Sequence, residues 1–376
     1  MNNSPCSGCS KALVATAWLA ALTVFLLLFL GTLITTYRVG MVDPIWPTEP
    51  WYLFSQDWSE PAPGYFIEHT HRVLGYLAGF IILGMVSLAL CRMPSFRWVN
   101  LALILGVSLG VGFAMTAVDR KAALADPIGA VNQFKLKTGL GLALLCALVL
   151  LFREVMQLQQ KKRASCLELL ALLSYLGVIV QGLLGGLRVY LNALVGPELA
   201  MVHGAMGQLV FALVAGTAVM AGTPSLLADL EDKDKKSLPR LGWILCLSFV
   251  IQLVWAVLVR HGGNPVAQRL HILGAFIIFG LVAWVSLRLA QSGRARPFFK
   301  KYNALLGMLV FLQVMLGIEA WMGKFGTGKP LAMEAINIGQ ASTRTIHAMV
   351  GALLLACSLG LALRLGQAGK TGSTCG

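Results

Sequence analysis

The chain has 376 residues, of which 57% are hydrophobic and only 12% charged, and its mean hydropathy is +0.76. Ordinary soluble domains carry roughly a quarter charged residues, so this composition excludes a water-exposed globule and puts the chain in a bilayer, with lipid as a permanent partner. A formal charge of +14 and an isoelectric point of about 9.6 do not indicate nucleic acid, because the basic residues are spread over short loops between apolar runs instead of gathering on one face.

Apolar runs long enough to cross about 30 Å of hydrocarbon, at about 1.5 Å per helical residue, occur at 12–36, 66–91, 98–118, 135–152, 166–188, 199–222, 241–260, 267–290, 303–323 and 345–366. The weakest is 135–152, a short run with Lys135 and Lys137 at its mouth, and the third and fourth spans also allow a re-entrant reading. The expectation is an all-α polytopic membrane protein of about ten helices. The first span follows Lys11 and has no clear small-x-small cleavage site before a soluble sequence, so it reads as an uncleaved anchor.

Lys and Arg in the loops set orientation, since these residues resist translocation. With the N-terminus inside, 18 of the 30 basic residues fall on the cytoplasmic side, including Arg153, Lys161, Lys162 and Arg163 in one loop and Lys233, Lys235, Lys236 and Arg240 in another. Both termini are therefore expected in the cytoplasm. The N-terminus has no Arg-rich transit character, which favours a bacterial inner membrane. Cysteines sit on the cytoplasmic side or within spans, so no structural disulfide is expected. Cys6 and Cys9 have redox or metal spacing, but they lie in a polar tail with no second pair and read as a plain terminus.

Six histidines occur, at 69, 71, 203, 261, 271 and 347. On this topology His71 opens the second span, His203 the sixth, His271 the eighth and His347 the tenth, so these four share one layer about a turn inside the outer surface. Intramembrane ionisable groups are functional candidates. Any one of them alone reads equally well as a histidine bonded to a carbonyl at a helix end. Four in a layer suit two porphyrins, each held by two axial imidazoles between apolar helix faces. Zinc competes, but structural zinc sites use local clusters, and these histidines are 132, 68 and 76 residues apart.

Arginines accompany the layer: Arg72 follows His71, Arg269 precedes His271 by two residues, Arg344 precedes His347 by three, and Arg188 and Arg260 end the spans before the second and third sites. A guanidinium fork suits anionic propionates at an aqueous edge, although snorkelling at a helix end explains each arginine as well. Glu68 precedes His71 by three positions and shares its helix face, where a carboxylate can shuttle protons beside a porphyrin or simply satisfy a helix start. The second histidine pair has only basic neighbours on this reading.

The chain repeats itself weakly. Val180-Gln181-Gly182-Leu183-Leu184-Gly185 precedes the span bearing His203, and Leu312-Gln313-Val314-Met315-Leu316-Gly317 precedes the span bearing His347. Spans 1–2 mirror spans 7–8. The expected organisation is two pseudo-symmetric four-helix bundles plus two extra helices, with an N-terminal half at 1–222, an inserted pair at 96–153 and a C-terminal half at 223–376.

These residues resemble the heme A synthases of bacteria and mitochondria. The matching pieces are Glu68-x-x-His71-Arg72, Gln181-Gly182-Leu183-Leu184-Gly185-Gly186 followed by His203, Val259-Arg260-His261 followed by His271, and Gln313-x-x-x-Gly317 followed by His347. The resemblance implies an oxidoreductase with an eight-helix core. Such an enzyme converts the C8 methyl of heme O to the formyl of heme A for cytochrome c oxidase, in two oxidations with water as the oxygen source. It implies that His71 and His203 flank heme O as iron ligands, that His271 and His347 ligate heme b, that Arg72, Arg269 and Arg344 meet propionates, and that Glu68 is catalytic. Partners so implied are heme O synthase, cytochrome c oxidase subunits and a quinone or other electron acceptor.

Two departures stand out. Many bacterial members carry a cysteine pair in the first outer loop, whereas residues 37–65 hold Trp46, Trp51, Trp58 and five prolines but no cysteine, which excludes cysteine-dependent mechanisms for this loop. The inserted spans are the second departure. A diheme b-type electron carrier linked to quinone, or a non-catalytic heme-handling assembly factor, would use the same four histidines; Glu68 is the residue that favours the enzyme.

Overall fold

The computed structural model describes residues 10–40, 42, 46, 64–91, 96–119, 122, 126, 129–159, 165–195, 197–222, 230–326 and 336–368. Cys6, Cys9, Trp51, Trp58 and the basic loop at 161–163 lie outside the described residues. The ten predicted spans are ten helices, each long and apolar enough to cross a membrane. They are α1 (Lys11–Tyr37), α2 (Tyr65–Leu90), α3 (Arg97–Met115), α4 (Gln133–Gln159), α5 (Ser165–Val195), α6 (Pro197–Ala221), α7 (Asp234–Gly262), α8 (Pro265–Gln291), α9 (Ala295–Phe325) and α10 (Ile338–Ala368). Among the described residues the one element of sheet character is an isolated bridge between Val118 and Val131, which closes the turn from α3 to α4.

Lipid as solvent explains the surface. Phe80 and Phe276 are each 71% exposed and Trp98 is 75% exposed, a cost that water would not tolerate in so many large apolar side chains and that hydrocarbon does not impose. The fourth span, the weakest in sequence, is an unbroken helix of 27 residues running to Gln159, because its polar last two turns satisfy their backbone within the helix.

Local sequence explains several boundaries. The Ser10 side chain accepts from the Leu13 N–H and caps α1. At the α7 to α8 turn, Gly263 adopts φ +58, Asn264 accepts from the Val266 and Ala267 N–H groups, and Pro265 occupies the first turn of α8. That tight reversal places His271 two turns into α8.

The described helices form two compact units, Ser10–Val210 and the residues from Phe211 onward, with the division falling inside α6. In the first unit α1 packs on α2, α2 on α5, and α3 and α4 form a hairpin set against α2 and α5. The hairpin seam is built from small residues: a Cβ on Gly110 would come within 2.7 Å of the Gly139 carbonyl oxygen, and one on Gly139 within 2.5 Å of the Gly110 oxygen. Backbones this close gain dispersion that lipid cannot match. In the second unit α7 packs on α8 and α10, and α9 packs on α8 and α10.

Candidate functional site

The candidate histidines occupy nearly equivalent places on their helices. His71 is the seventh residue of α2, His203 the seventh of α6, His271 the seventh of α8, and His347 the tenth of α10.

In the first unit the His71 ring lies against α1. Its Nδ1 is 3.0 Å from the Leu27 carbonyl oxygen, which can only accept, so Nδ1 carries the hydrogen and Nε2 keeps its lone pair. Gly31, one turn further along α1, makes room: a Cβ there would stand 3.1 Å from His71 Cε1. On α6, His203 meets Gly185 of α5, where a Cβ would stand 3.3 Å from Cε1. Gln181, one turn before Gly185, donates to the His203 carbonyl at 2.8 Å and lies over Gly207, one turn beyond His203. His203 is within electrostatic range of His71 and Arg188. Its Nδ1 is buried with no hydrogen-bond partner among the described residues.

Glu68 is 5% exposed and both carboxylate oxygens are engaged. Arg72 Nη2 donates to Oε1 at 2.7 Å, and the Val42 N–H donates to Oε2 at 2.7 Å. The acid therefore ties the segment after α1 to the start of α2. That contact joins residues 26 positions apart, and helix periodicity cannot show it. Arg188 of α5 is in electrostatic range of Glu68 and Arg72. Trp46 lies over α5, where a Cβ on Gly186 would reach within 2.6 Å of the indole. His69 is fully buried and stacks on Tyr65 at 5.3 Å.

The second unit repeats the scheme with side-chain amides. Gln252 of α7 donates to the His271 carbonyl at 2.7 Å and lies 3.1 Å from His271 Nδ1. Gln313 of α9 lies 3.3 Å from His347 Nε2, and Gly317, one turn later, receives the ring, with a Cβ there standing 3.1 Å from Cε1. Gln313 also packs over Gly351, one turn beyond His347, as Gln181 packs over Gly207. His347 Nδ1 is buried and has no hydrogen-bond partner among the described residues. Four positions therefore correspond, Leu27–Gly31, Gln181–Gly185, Gln252–Ala256 and Gln313–Gly317, each a pair four residues apart with a small second member. The repeat in the sequence exposed two of these. Gln252 was missed because its small partner is Ala256, but an amide one turn before a small residue in an apolar span was the available signal.

Arginines divide unevenly. Arg260 is in electrostatic range of both His347 and Arg344, and Arg344 Nη2 donates to the Gly323 carbonyl at 3.2 Å. Arg269 is exposed and forms no hydrogen bond or ion pair among the described residues. The expectation that the second pair has only basic neighbours is corrected: Glu319 of α9 accepts from Thr343 Oγ1 at 3.3 Å, one turn before His347. Glu319 is distant in sequence from either histidine, so only the packing of α9 on α10 reveals it.

The donor set fits axial ligation of a porphyrin. The His271 and His347 ring centroids are 6.4 Å apart with planes at 75°. Two metal–nitrogen bonds of roughly 2 Å with the rings beyond them place centroids roughly 6 Å apart. Among the described residues no three His, Cys, Asp or Glu side chains converge on a metal-sized point. Small residues beneath the rings and unpartnered nitrogens on His203 and His347 complete the fit.

No family model matches the chain. It is similar to a protein of Cereibacter sphaeroides named Heme A synthase, with 30% identity over 130 aligned positions that cover 28% of this chain and 33% of that protein. The chain thus spans about a third of the length of the curated relative it matches.

Proposed function

We propose that this protein is a heme A synthase of the bacterial inner membrane, with both termini cytoplasmic. It oxidises the C8 methyl of heme O to the formyl of heme A in two steps, working beside heme O synthase and supplying cytochrome c oxidase. The observation that carries the reading is the approach of the His271 and His347 rings to 6.4 Å beside glutamines of neighbouring helices, a layout that His203 and Gln181 echo in the first unit, joined to the likeness just described.

On this reading residues 1–222 hold substrate heme O through His71 and His203, and residues 223–376 hold heme b through His271 and His347. Bound heme supplies the redox-active iron. The chain's own residues do the rest. Leu27 O fixes the His71 tautomer that leaves Nε2 free to bind metal, as outer partners of ligating histidines do elsewhere. Arg72 and the Val42 N–H orient the Glu68 carboxylate, which we assign to take up protons released at the methyl group. Arg72, Arg188, Arg260 and Arg344 provide the positive edge that propionates need, while Arg269, standing apart, contributes through charge alone.

A diheme b-type electron carrier is the second reading, and one observation favours it: both Glu68 oxygens already have structural partners. Extraction and mass analysis of hemes from a heme O-producing host, with and without the protein, separates the two. Hydroxylated heme O or heme A is the expected product. Heme B alone, with a bis-histidine spectrum, would overturn the enzyme in favour of the carrier.

A further inference from the structure

A groove of about 340 Å³ lies between α9 and α10 of the second unit. Its outer wall is Met315, Ile318 and Met322, which are 45%, 52% and 58% exposed and so face the bilayer. Within it stand Glu319, with Thr343 as its one hydrogen-bond partner among the described residues, and Gln340, whose amide donates to the Gly323 carbonyl at 3.3 Å. A mostly apolar cavity of this size with a few convergent polar groups is the usual form of a small-molecule site.

We propose that this groove takes the head group of a quinone drawn from the bilayer. The charge pattern chooses that occupant. The Glu319 carboxylate and the Arg344 guanidinium, whose Nη2 donates to the Gly323 carbonyl, both line the groove, so their charges offset and an anionic phospholipid head group gains no net attraction there. A neutral ring with two carbonyl oxygens instead finds the second N–H of the Gln340 amide as a donor and the Glu319 carboxylate, held by the Thr343 hydroxyl, as a relay for the proton that the reduced oxygen takes up. Unbranched methionine side chains adapt to a flat ring and its tail.

The redox sense of the site rests on the proposed function, while binding does not. Hydroxylation of the substrate methyl with water as oxygen source releases two electrons and two protons, and oxidation of the resulting alcohol to the aldehyde releases two of each again. One quinone per step, taking up two electrons and two protons to become the quinol, balances both.

The test is photolabelling of the full chain in lipid nanodiscs with a short-tailed azidobenzoquinone, followed by peptide mapping. Label is expected within residues 315–323 or 340–344, displaced by excess decylubiquinone, and cut at least tenfold by Met322→Trp, which fills the groove from the lipid side. Gln340→Ala, which removes a donor without adding bulk, is expected to cut it several-fold and serves if the tryptophan variant does not fold. Label mapping elsewhere, or displaced by phosphatidylglycerol and not by decylubiquinone, overturns the proposal. Heme O conversion with label outside the groove would sink the groove alone; groove label without any conversion would sink the heme A synthase reading and leave the quinone site standing.

Discussion

The two units hold their histidines by the same layout and different chemistry. In Ser10–Val210 the His71 ring is fixed by a main-chain carbonyl, and a buried acid, an arginine and a loop N–H form a network beside it. From Phe211 onward both histidines are supported by glutamine amides, and the acid, Glu319, lies out in a groove. A carbonyl can only accept and dictates one tautomer, whereas an amide offers both a donor and an acceptor and adapts to either. The first unit therefore presets the His71 tautomer, which on the proposed reading suits a site where a substrate heme must enter and leave. The second is built to adjust around a resident group.

Single substitutions test that contrast. The largest effect is expected from the histidines: His71→Ala should drop product below detection while the resident heme remains, and His347→Ala should remove that heme, both read from extracted heme content. Next comes Glu68→Ala, which leaves the Arg72 guanidinium and the Val42 N–H without their acceptor. Breaking such a buried pair costs about 3–5 kcal/mol, visible as a lowered thermal midpoint together with loss of product. Glu68→Gln, which keeps an acceptor for Val42, should recover much of the stability but not the product. If it recovers both, Glu68 is a tether and nothing more.

Gln313→Ala is expected to weaken heme retention in the second unit by roughly 10–100-fold, the usual range for an outer partner of a ligating histidine. Leu27→Ala, which leaves the carbonyl in place, should change retention in the first unit little. Equal effects from the two would erase the contrast between main-chain and side-chain support. Gly139→Ala should cost about 1–3 kcal/mol through overpacking at the α3–α4 seam without altering either heme signal, measured by thermal unfolding. Arg269→Ala, at an exposed position without partners among the described residues, should change heme content least of all.

Much of this was legible in the residues. Hydropathy placed all ten helices, because a bilayer imposes a single length and composition requirement on every span. The place of the four histidines near the starts of their helices was legible for the same reason, because the apolar runs fix where each helix lies along the chain. The ends of helices were less so. α7 begins at Asp234 and carries Pro239 inside it, because polar turns extend the helix beyond the hydrocarbon where hydropathy stops reporting. Glu68 was noticed beside His71, yet its second partner was not, since Val42 is brought to it by a loop that no periodicity describes.

What the sequence by itself determined is the class of protein, the number of spans, the place of four imidazoles near the starts of their helices and two of the glutamine supports, all of which depend on local composition and helical spacing. Tertiary structure alone decided the rest. It set which carbonyl orients His71, showed that Gln252 and Gln313 serve like positions, moved Arg269 away from partners, and brought Glu319 against Thr343. Those facts depend on rotation of one helix about its axis against another, which is settled by small-residue seams such as Gly31 under His71 and Gly317 under His347, where an added methyl would stand 3.1 Å from the ring. Close packing reads the shape of both surfaces at once, and one strand of sequence carries only half of each contact.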